Sequence, residues 1–367
     1  MRAAVCHTFG EPLTIEELTL DPPGNDEVRV EIHACAICAS DLHAADGSWG
    51  GSLPAVFGHE ASGIVSEVGA SVTTVAVGDR VVVSLLRSCR DCFFCDGNES
   101  HLCEKRGDFD IANSTRLHLD DGTDVGQGVY TGAFAEEVVV HGSQVEAVGD
   151  GVSFEAAALM ACGVATGYGA VVNTVDVPSG STIAVIGTGG VGLNAVQGGV
   201  ATGASKVIAV DVAQAKLDDA IVFGATDQVL LSMDEGGSDK AIADVQACTS
   251  GRGADYVFVT VGNTAAIEQG IEMARNGGTV VVVGMTKSGA HAHIETSGFA
   301  GNGKTVVGSF LGSTDLPRDI PTMSECYLNG ELKLDELVTG RFSLDEINDA
   351  IASTKAGEAR RNMIVMR

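Results

Sequence analysis

The stretch TIAVIGTGGVG, residues 182–192, leaves few folds open to this chain. Its first five residues are small or β-branched and read as a buried strand. Glycines at 187, 189 and 192 then break the strand, and GLNAVQGGVATG continues as a helix-compatible segment. In that context Gly187 permits the tight turn and Gly189 lets the backbone approach a pyrophosphate. Gly190 and Val191 fall in the first helical turn, whose N–H groups face the phosphates, and Gly192 allows the helix to pack closely on the strand. The next apolar run, KVIAVDV, places Asp211 about 20 residues on, where a carboxylate meets a ribose and repels the 2′-phosphate of NADP. NAD is therefore the expected nucleotide. A glycine turn in an unrelated α/β fold, with Asp211 bonding only a turn, is the duller alternative.

Two further apolar runs, ADYVFVTVG and GGTVVVVGM, follow with helix-compatible segments between them, the pattern of a parallel, doubly wound sheet. The first third reads differently. RAAVCHTF, EVRVEIHACAI, ASGIVSEVG, DRVVVSLL and FAEEVVV are short β segments separated by Gly, Pro and Asp, which suggests a partly barrel-like β domain. The closing NMIVMR is strand-like, and the order of patterns has the tail rejoin the β domain. With 367 residues two domains are expected: a β-rich domain from residues 1–163 and 309–367, and a dinucleotide domain from 164–308.

No apolar run approaches the roughly 20 residues of a membrane span, and MRAAVCHTFG lacks the basic-then-apolar pattern of a secretory signal. A cytoplasmic, reducing setting without a membrane partner is expected. The net charge of −27 is scattered along the chain and argues against nucleic acid. Solubility is the plain reading of that acidity.

Cys89, Cys92, Cys95 and Cys103 crowd one polar loop, SCRDCFFCDGNESHLC. Four thiolates there can close a tetrahedral zinc site with no place for water, which makes it structural. An iron–sulfur cluster suits the first three spacings, and a disulfide is disfavoured by the compartment. A second site is dispersed: Cys35, Cys38, Asp41 and His43 in CAICASDLH, His59 and Glu60 in VFGHEASG, and Cys162 in LMACGVATGYG. Two cysteines and one histidine with an open fourth position are the donors of a catalytic zinc. Taken singly, each is as readily a core residue. Cys6, Cys35, Cys248 and Cys326 read as incidental thiols, and His291 and His293 in GAHAHIE as part of a solvated strand.

Over essentially its whole length the sequence resembles the zinc-dependent medium-chain alcohol dehydrogenases, with GHE, the four-cysteine lobe, CGVATGYGA and GTGGVG in the family's order. The resemblance implies a GroES-like β domain beside a Rossmann domain and two zinc ions per chain. Cys38, His59 and Cys162 would hold the catalytic ion, and Cys89, Cys92, Cys95 and Cys103 the structural one. It implies that Glu60 approaches the metal during ligand exchange, that Asp41 orients the histidine ligand, and that Ser40 and His43 relay the alcohol proton. Asp211 and Lys216 would hold the adenosine ribose, Thr166, Val261 and Val283 the nicotinamide, and Arg361 the pyrophosphate. Trp49, Leu85 and Phe134 fall where the family lines its substrate channel. A homo-oligomer, dimer or tetramer, acting on a small alcohol or aldehyde is implied as well.

One departure is Ala39, where family members often carry a basic residue against the pyrophosphate; the missing contact is worth about 1.5–3 kcal/mol. The segment from Glu104 to Phe134 is similar to the branch holding glutathione-dependent formaldehyde, aryl-alcohol and NAD-retaining enzymes. Rival readings are a polyol or sugar alcohol dehydrogenase, a glutathione-dependent formaldehyde dehydrogenase, and, from another class, a non-catalytic zinc protein or redox sensor.

Overall fold

The computed structural model describes residues 1–107, 116–357 and 359–366, so residues 108–115, inside the segment similar to the formaldehyde and aryl-alcohol branch, lie outside the described residues. The chain forms two compact units, Met1–Gly163 with Asp315–Arg367, and Val164–Thr314. The second junction lies past the expected 308/309. Thr305–Gly308 is a strand of the second unit, and the turn after it packs there, with Gly312 so close to Ala165 that a Cβ would sit 2.0 Å from its carbonyl oxygen.

The first unit is built on two sheets. Its longest strand, Glu27–Ala36, alternates Val28, Val30 and Ile32 inward with half-buried Arg29, Glu31 and His33, the period of a sheet with one face on the core. It pairs antiparallel with Glu60–Val68, with Glu137–His141 and with the C-terminal strand Arg361–Val365. The last pairing sets Met363 against Ala36 and Ile364 against Cys35, so the tail does rejoin the β domain. Arg80–Val83 lies on the far side of Glu60–Val68, with Val83 opposite Ala61. A smaller sheet adds Arg2–Cys6, Ala55–Val56 and Asp124–Gln127, and one core containing Val5, Val56, Phe57, Val83, Phe134 and Ile364 fills the unit.

The second unit is a six-stranded parallel sheet in the order Asp227–Leu230, Lys206–Asp211, Thr182–Ile186, Ala254–Val259, Ala274–Val282, Thr305–Gly308. In chain order that is 3-2-1-4-5-6, the doubly wound dinucleotide order, and its switch point lies between Thr182–Ile186 and Ala254–Val259. The stretch Phe154–Thr174 corrects one expectation: 21 residues long with a window of mean hydropathy 1.4, it could cross a membrane by composition. That window is 83% buried within the protein, which makes it a core helix. GAHAHIE is also not a strand; His291 and His293 lie in an exposed loop.

Candidate active site and nucleotide loop

Cys38 occupies the position just before the helix Ala39–Ala45, and Asp41 in that helix's first turn folds back onto it. The Asp41 carboxylate is 2% exposed and accepts three hydrogen bonds: from the Cys38 amide at 3.0 Å, the Gly58 amide at 2.9 Å, and His59 Nδ1 at 2.8 Å. Gly58 has φ +94°, and a Cβ there would meet the Phe134 amide nitrogen at 2.6 Å, so only glycine fits beside His59. Fixing Nδ1–H on a carboxylate leaves Nε2 as a lone-pair donor. That Nε2 is buried and makes no regular hydrogen bond. Cys162 comes from the core helix, which widens to π-type winding over Met160–Val164; such bulges recur at functional sites. Donor atoms of Cys38, His59, Glu60 and Cys162 all lie within 4.8 Å of one another, and all four residues are buried.

The electrostatics match a cation position. A hydrogen bond from Cys162 holds the Cys38 thiol well below its usual range against the opposing effect of burial, and His59 adds to this. Burial works against a charge on His59, but Asp41 beside it outweighs that and raises its basicity. Burial pushes Glu60 up to about 7 despite the Arg361 guanidinium donating to its Oε2, with the Cys38 thiolate adding to the rise. Glu60 Oε1 is buried without a partner. Each unsatisfied buried acceptor costs about 1–3 kcal/mol, and two thiols, an imidazole lone pair and a carboxylate oxygen are a donor set that fits Zn²⁺. Asp41→Asn is expected to set an amide NH₂ against one of the N–H groups that the carboxylate now accepts, those of Cys38, Gly58 and His59. We expect it to weaken metal binding by about 10–100-fold, read by competition with a chelator.

Among the other expected residues, Ser40 and His43 lie on the Cys38 helix, both half-buried, and the His43 ring stands 5.5 Å from that of Trp49. Leu85 is half-buried and follows Ser84, whose hydroxyl donates to the Ala161 carbonyl at 2.7 Å, next to Cys162. Phe134 is 1% exposed, packed in the main core against Gly58, the residue before His59. Arg361 is 7% exposed and its Nη2 is paired with Glu60, while its Nε is buried without a hydrogen-bond partner.

The second cluster brings Cys89, Cys92, Cys95 and Cys103 within 4.8 Å. All four are free thiols, and Cys89 and Cys95 sulfurs stand 4.0 Å apart, twice a disulfide length. Backbone amides of Cys95 and Glu104 pull Cys92 down to about 6, while burial and the thiols of Cys92 and Cys103 push Cys95 up to about 12. Four sulfurs this close cannot all ionise without a cation between them. Ser100 donates to Asp315 at 2.6 Å and Arg90 at 2.5 Å, tying the loop to the helix Leu316–Leu328.

In the second unit, Gly187 has φ +89°, and a Cβ on Gly192 would lie 1.9 Å from the Gly187 carbonyl oxygen. Gly189 caps the helix Gly190–Ala201, with open space where its Cβ would project, a cradle suited to a pyrophosphate. Asp211 accepts from the Thr188 amide at 2.8 Å and the Ala213 amide at 3.0 Å, so it braces the glycine loop. Each oxygen keeps lone pairs, which leaves a ribose contact open. The Lys216 carbonyl accepts from Thr188 Oγ1 at 3.2 Å. Thr166 is half-buried on the helix Ala165–Gly169, where Gly167 meets the Val191 carbonyl. Val261 and Val283 follow the carboxyl ends of two neighbouring strands, and Val261 packs over Gly187.

The family described as Alcohol dehydrogenase GroES-like domain matches residues 24–150, and that described as Zinc-binding dehydrogenase matches 190–329. The chain is 36% identical over 372 residues to the NDMA-dependent alcohol dehydrogenase of Amycolatopsis methanolica, covering 99% of this chain and 98% of that one. This chain belongs to the zinc-dependent medium-chain alcohol dehydrogenases. It is an enzyme, a zinc-dependent alcohol oxidoreductase. Within that family it is 34% identical to the S-(hydroxymethyl)glutathione dehydrogenase of Komagataella pastoris, covering 100% of this chain and 97% of the relative. The crystal structure of benzyl alcohol dehydrogenase from Acinetobacter calcoaceticus superposes with a TM-score of 0.90 at 28% identity, covering 100% of this chain and 99% of the other. The alcohol dehydrogenase then carries the expected architecture, a half-barrel GroES-like unit and a Rossmann sheet.

Proposed function

We propose that this enzyme oxidises a primary or aromatic alcohol reversibly to its carbonyl compound with NAD. One zinc would be held by Cys38, His59 and Cys162, and a second by Cys89, Cys92, Cys95 and Cys103. The observation that carries the reading is the buried, unpartnered His59 Nε2 beside two sulfurs, its ring fixed from behind by Asp41. Bound zinc supplies a Lewis acid that acidifies the alcohol hydroxyl, and NAD supplies the hydride acceptor. Ser40 takes the hydroxyl proton in its first-turn position, and His43, further along the same helix, passes it to solvent. Asp41 keeps His59 oriented, and Arg361 opposes the rise that burial gives the Glu60 carboxyl. The glycine loop and Asp211 would seat the nucleotide, with Val261 and Val283 by its nicotinamide. A homodimer or tetramer and a cytoplasmic location complete the proposal.

Ser40→Ala is expected to lower kcat for alcohol oxidation by about 10²–10⁴-fold with zinc content unchanged, the range of a lost proton-transfer group. A near-wild-type rate would remove Ser40 from the relay. The substrate class is tested by NADH formation with ethanol, benzyl alcohol, sorbitol and formaldehyde plus glutathione. A dominant response to benzyl alcohol or ethanol supports the reading, one to sorbitol favours the polyol alternative, and one requiring glutathione favours the formaldehyde alternative.

A further inference from the structure

Arg87 is 3% exposed and belongs to neither metal cluster. Its Nε donates to Gln144 Oε1 at 2.8 Å and its Nη2 to the Tyr130 carbonyl at 2.9 Å, while the guanidinium lies 4.8 Å from the centre of the Tyr130 ring. Among the described residues its Nη1 has no partner, and Glu27, the carboxylate whose charge acts on it, is ion-paired instead with Arg116 at 3.0 Å. A buried cation whose hydrogen bonds all go to neutral groups is costly, and a neutral side chain of similar shape would be cheaper. Its position must therefore serve something besides stability.

What it holds is a strained turn. Val129 and Tyr130 are consecutive non-glycine residues with φ of +51° and +62°. Such residues persist only where the surroundings over-determine them. The Tyr130 carbonyl receives a second donor, Gln144 Nε2 at 3.1 Å, and the same Nε2 reaches the Ser84 carbonyl at 2.8 Å. Ser84 in turn bonds the carbonyl next to Cys162, so the segment carrying Leu85 is tied to one metal ligand. On the other side, the turn Gly128–Tyr130 packs on the helix that carries Ser40 and His43. It runs into Ala133 and Phe134, whose amides bond the Gly58 and Phe57 carbonyls at 2.9 and 2.8 Å, just ahead of His59.

We propose that Arg87 and Gln144 form a clamp that fixes the spacing between the Leu85 segment and the Val129–Tyr130 turn, and thereby sets which alcohols, by bulk, the zinc site takes. Both are positioning residues, and the inference rests on the alcohol-oxidising function proposed above. Hydrophobic walls discriminate substrates by about 10–200-fold per methylene-sized change, so a small shift in spacing is read directly in selectivity.

The test uses full-length, zinc-loaded enzyme bearing Arg87→Met, with kcat and KM measured for ethanol and benzyl alcohol and backbone hydrogen exchange followed by mass spectrometry. The benzyl-to-ethanol ratio of kcat/KM should move at least about tenfold, carried mainly by KM. Exchange should accelerate in residues 128–132 beyond any rise elsewhere. A ratio within twofold of wild type, or exchange that rises evenly across the chain, overturns the clamp. Arg87→Lys keeps charge and stem but cannot reach both oxygens, and it should shift ratio and exchange in the same direction if the methionine variant does not fold. A lysine variant identical to wild type in both overturns it equally. Wild-type enzyme that oxidises neither alcohol would instead fail the proposed function, and local exchange alone would then decide the clamp.

Discussion

Cys162→Ala is expected to lower kcat for alcohol oxidation at least about a thousandfold, some 4 kcal/mol of lost barrier reduction, and to remove one of two zinc equivalents. Cys162 is 6% exposed on the π-wound turn, flanked by Met160, Ala161 and Val164, all fully buried. Alanine fills much of the same space and continues a stretch already rich in alanine, so helix packing and far-UV circular dichroism should persist. What is lost is one of the sulfurs in a cluster where every donor lies within 4.8 Å of the others. His59 stays fixed on Asp41, and Cys38 loses the neighbour that most depresses its pKa. A metal site reduced to Cys38 and His59 lacks the third ligand of a catalytic zinc. Zinc content by atomic emission and kcat on the same preparation decide the matter. Both zincs retained with activity within tenfold of wild type would dismiss Cys162 as a ligand.

The parts of this molecule legible in its sequence are those whose cause is local. The glycine loop could be read because Gly187, Gly189 and Gly192 each answer a backbone demand within a few residues, and the strands before and after it are continuous apolar runs. Edge strands carry no such mark. Asp227–Leu230 and Thr305–Gly308 bury little, their side chains mostly facing solvent or only half covered, so neither period nor composition announces them. The later junction has a different cause: residues 309–314 form a turn held against the Ala165–Gly169 helix by contacts far apart in the chain.

Within the site, Cys38, Asp41, His59 and Cys162 were found as residue types in a recognisable order, but their partnerships are long-range. Arg361 meets Glu60 across 301 residues, and the local sequence GEARRN gives no sign of that pairing. Arg87 and Gln144 are 57 apart and look like ordinary surface polar residues until the turn at Tyr130 shows what they hold. Phe134 is also placed by a distant residue: a glycine at 58 lets it pack into the core beside His59.

Cys103→Ala is expected to have the opposite profile from Cys162→Ala: thermal stability collapses while the chemistry of surviving molecules is kept. Cys103 is 2% exposed and its sulfur accepts the Cys89 amide at 3.3 Å, so it joins the two ends of the loop. A closed four-sulfur site contributes its binding energy to folding directly, because the unfolded chain has no preformed site. The loop has little else. Its only helical pieces are Phe93–Asp96 and Ser100–Leu102, too short to stand alone, and Phe93 is 76% exposed. Releasing it also frees Arg90 and Ser100 from Asp315, the residue that starts the helix Leu316–Leu328. At about 2–4 °C per kcal/mol for a domain of this size, a fall in Tm on the order of 10 °C is expected, with one zinc equivalent lost. Below that lowered Tm, kcat per folded molecule should remain within about tenfold of wild type, because the Cys38, His59 and Cys162 cluster is untouched. Differential scanning calorimetry with zinc analysis and active-site titration separates the two quantities. An unchanged Tm after loss of that zinc would mean the loop is held by its ion pairs, and a parallel loss of kcat would mean the four cysteines serve turnover.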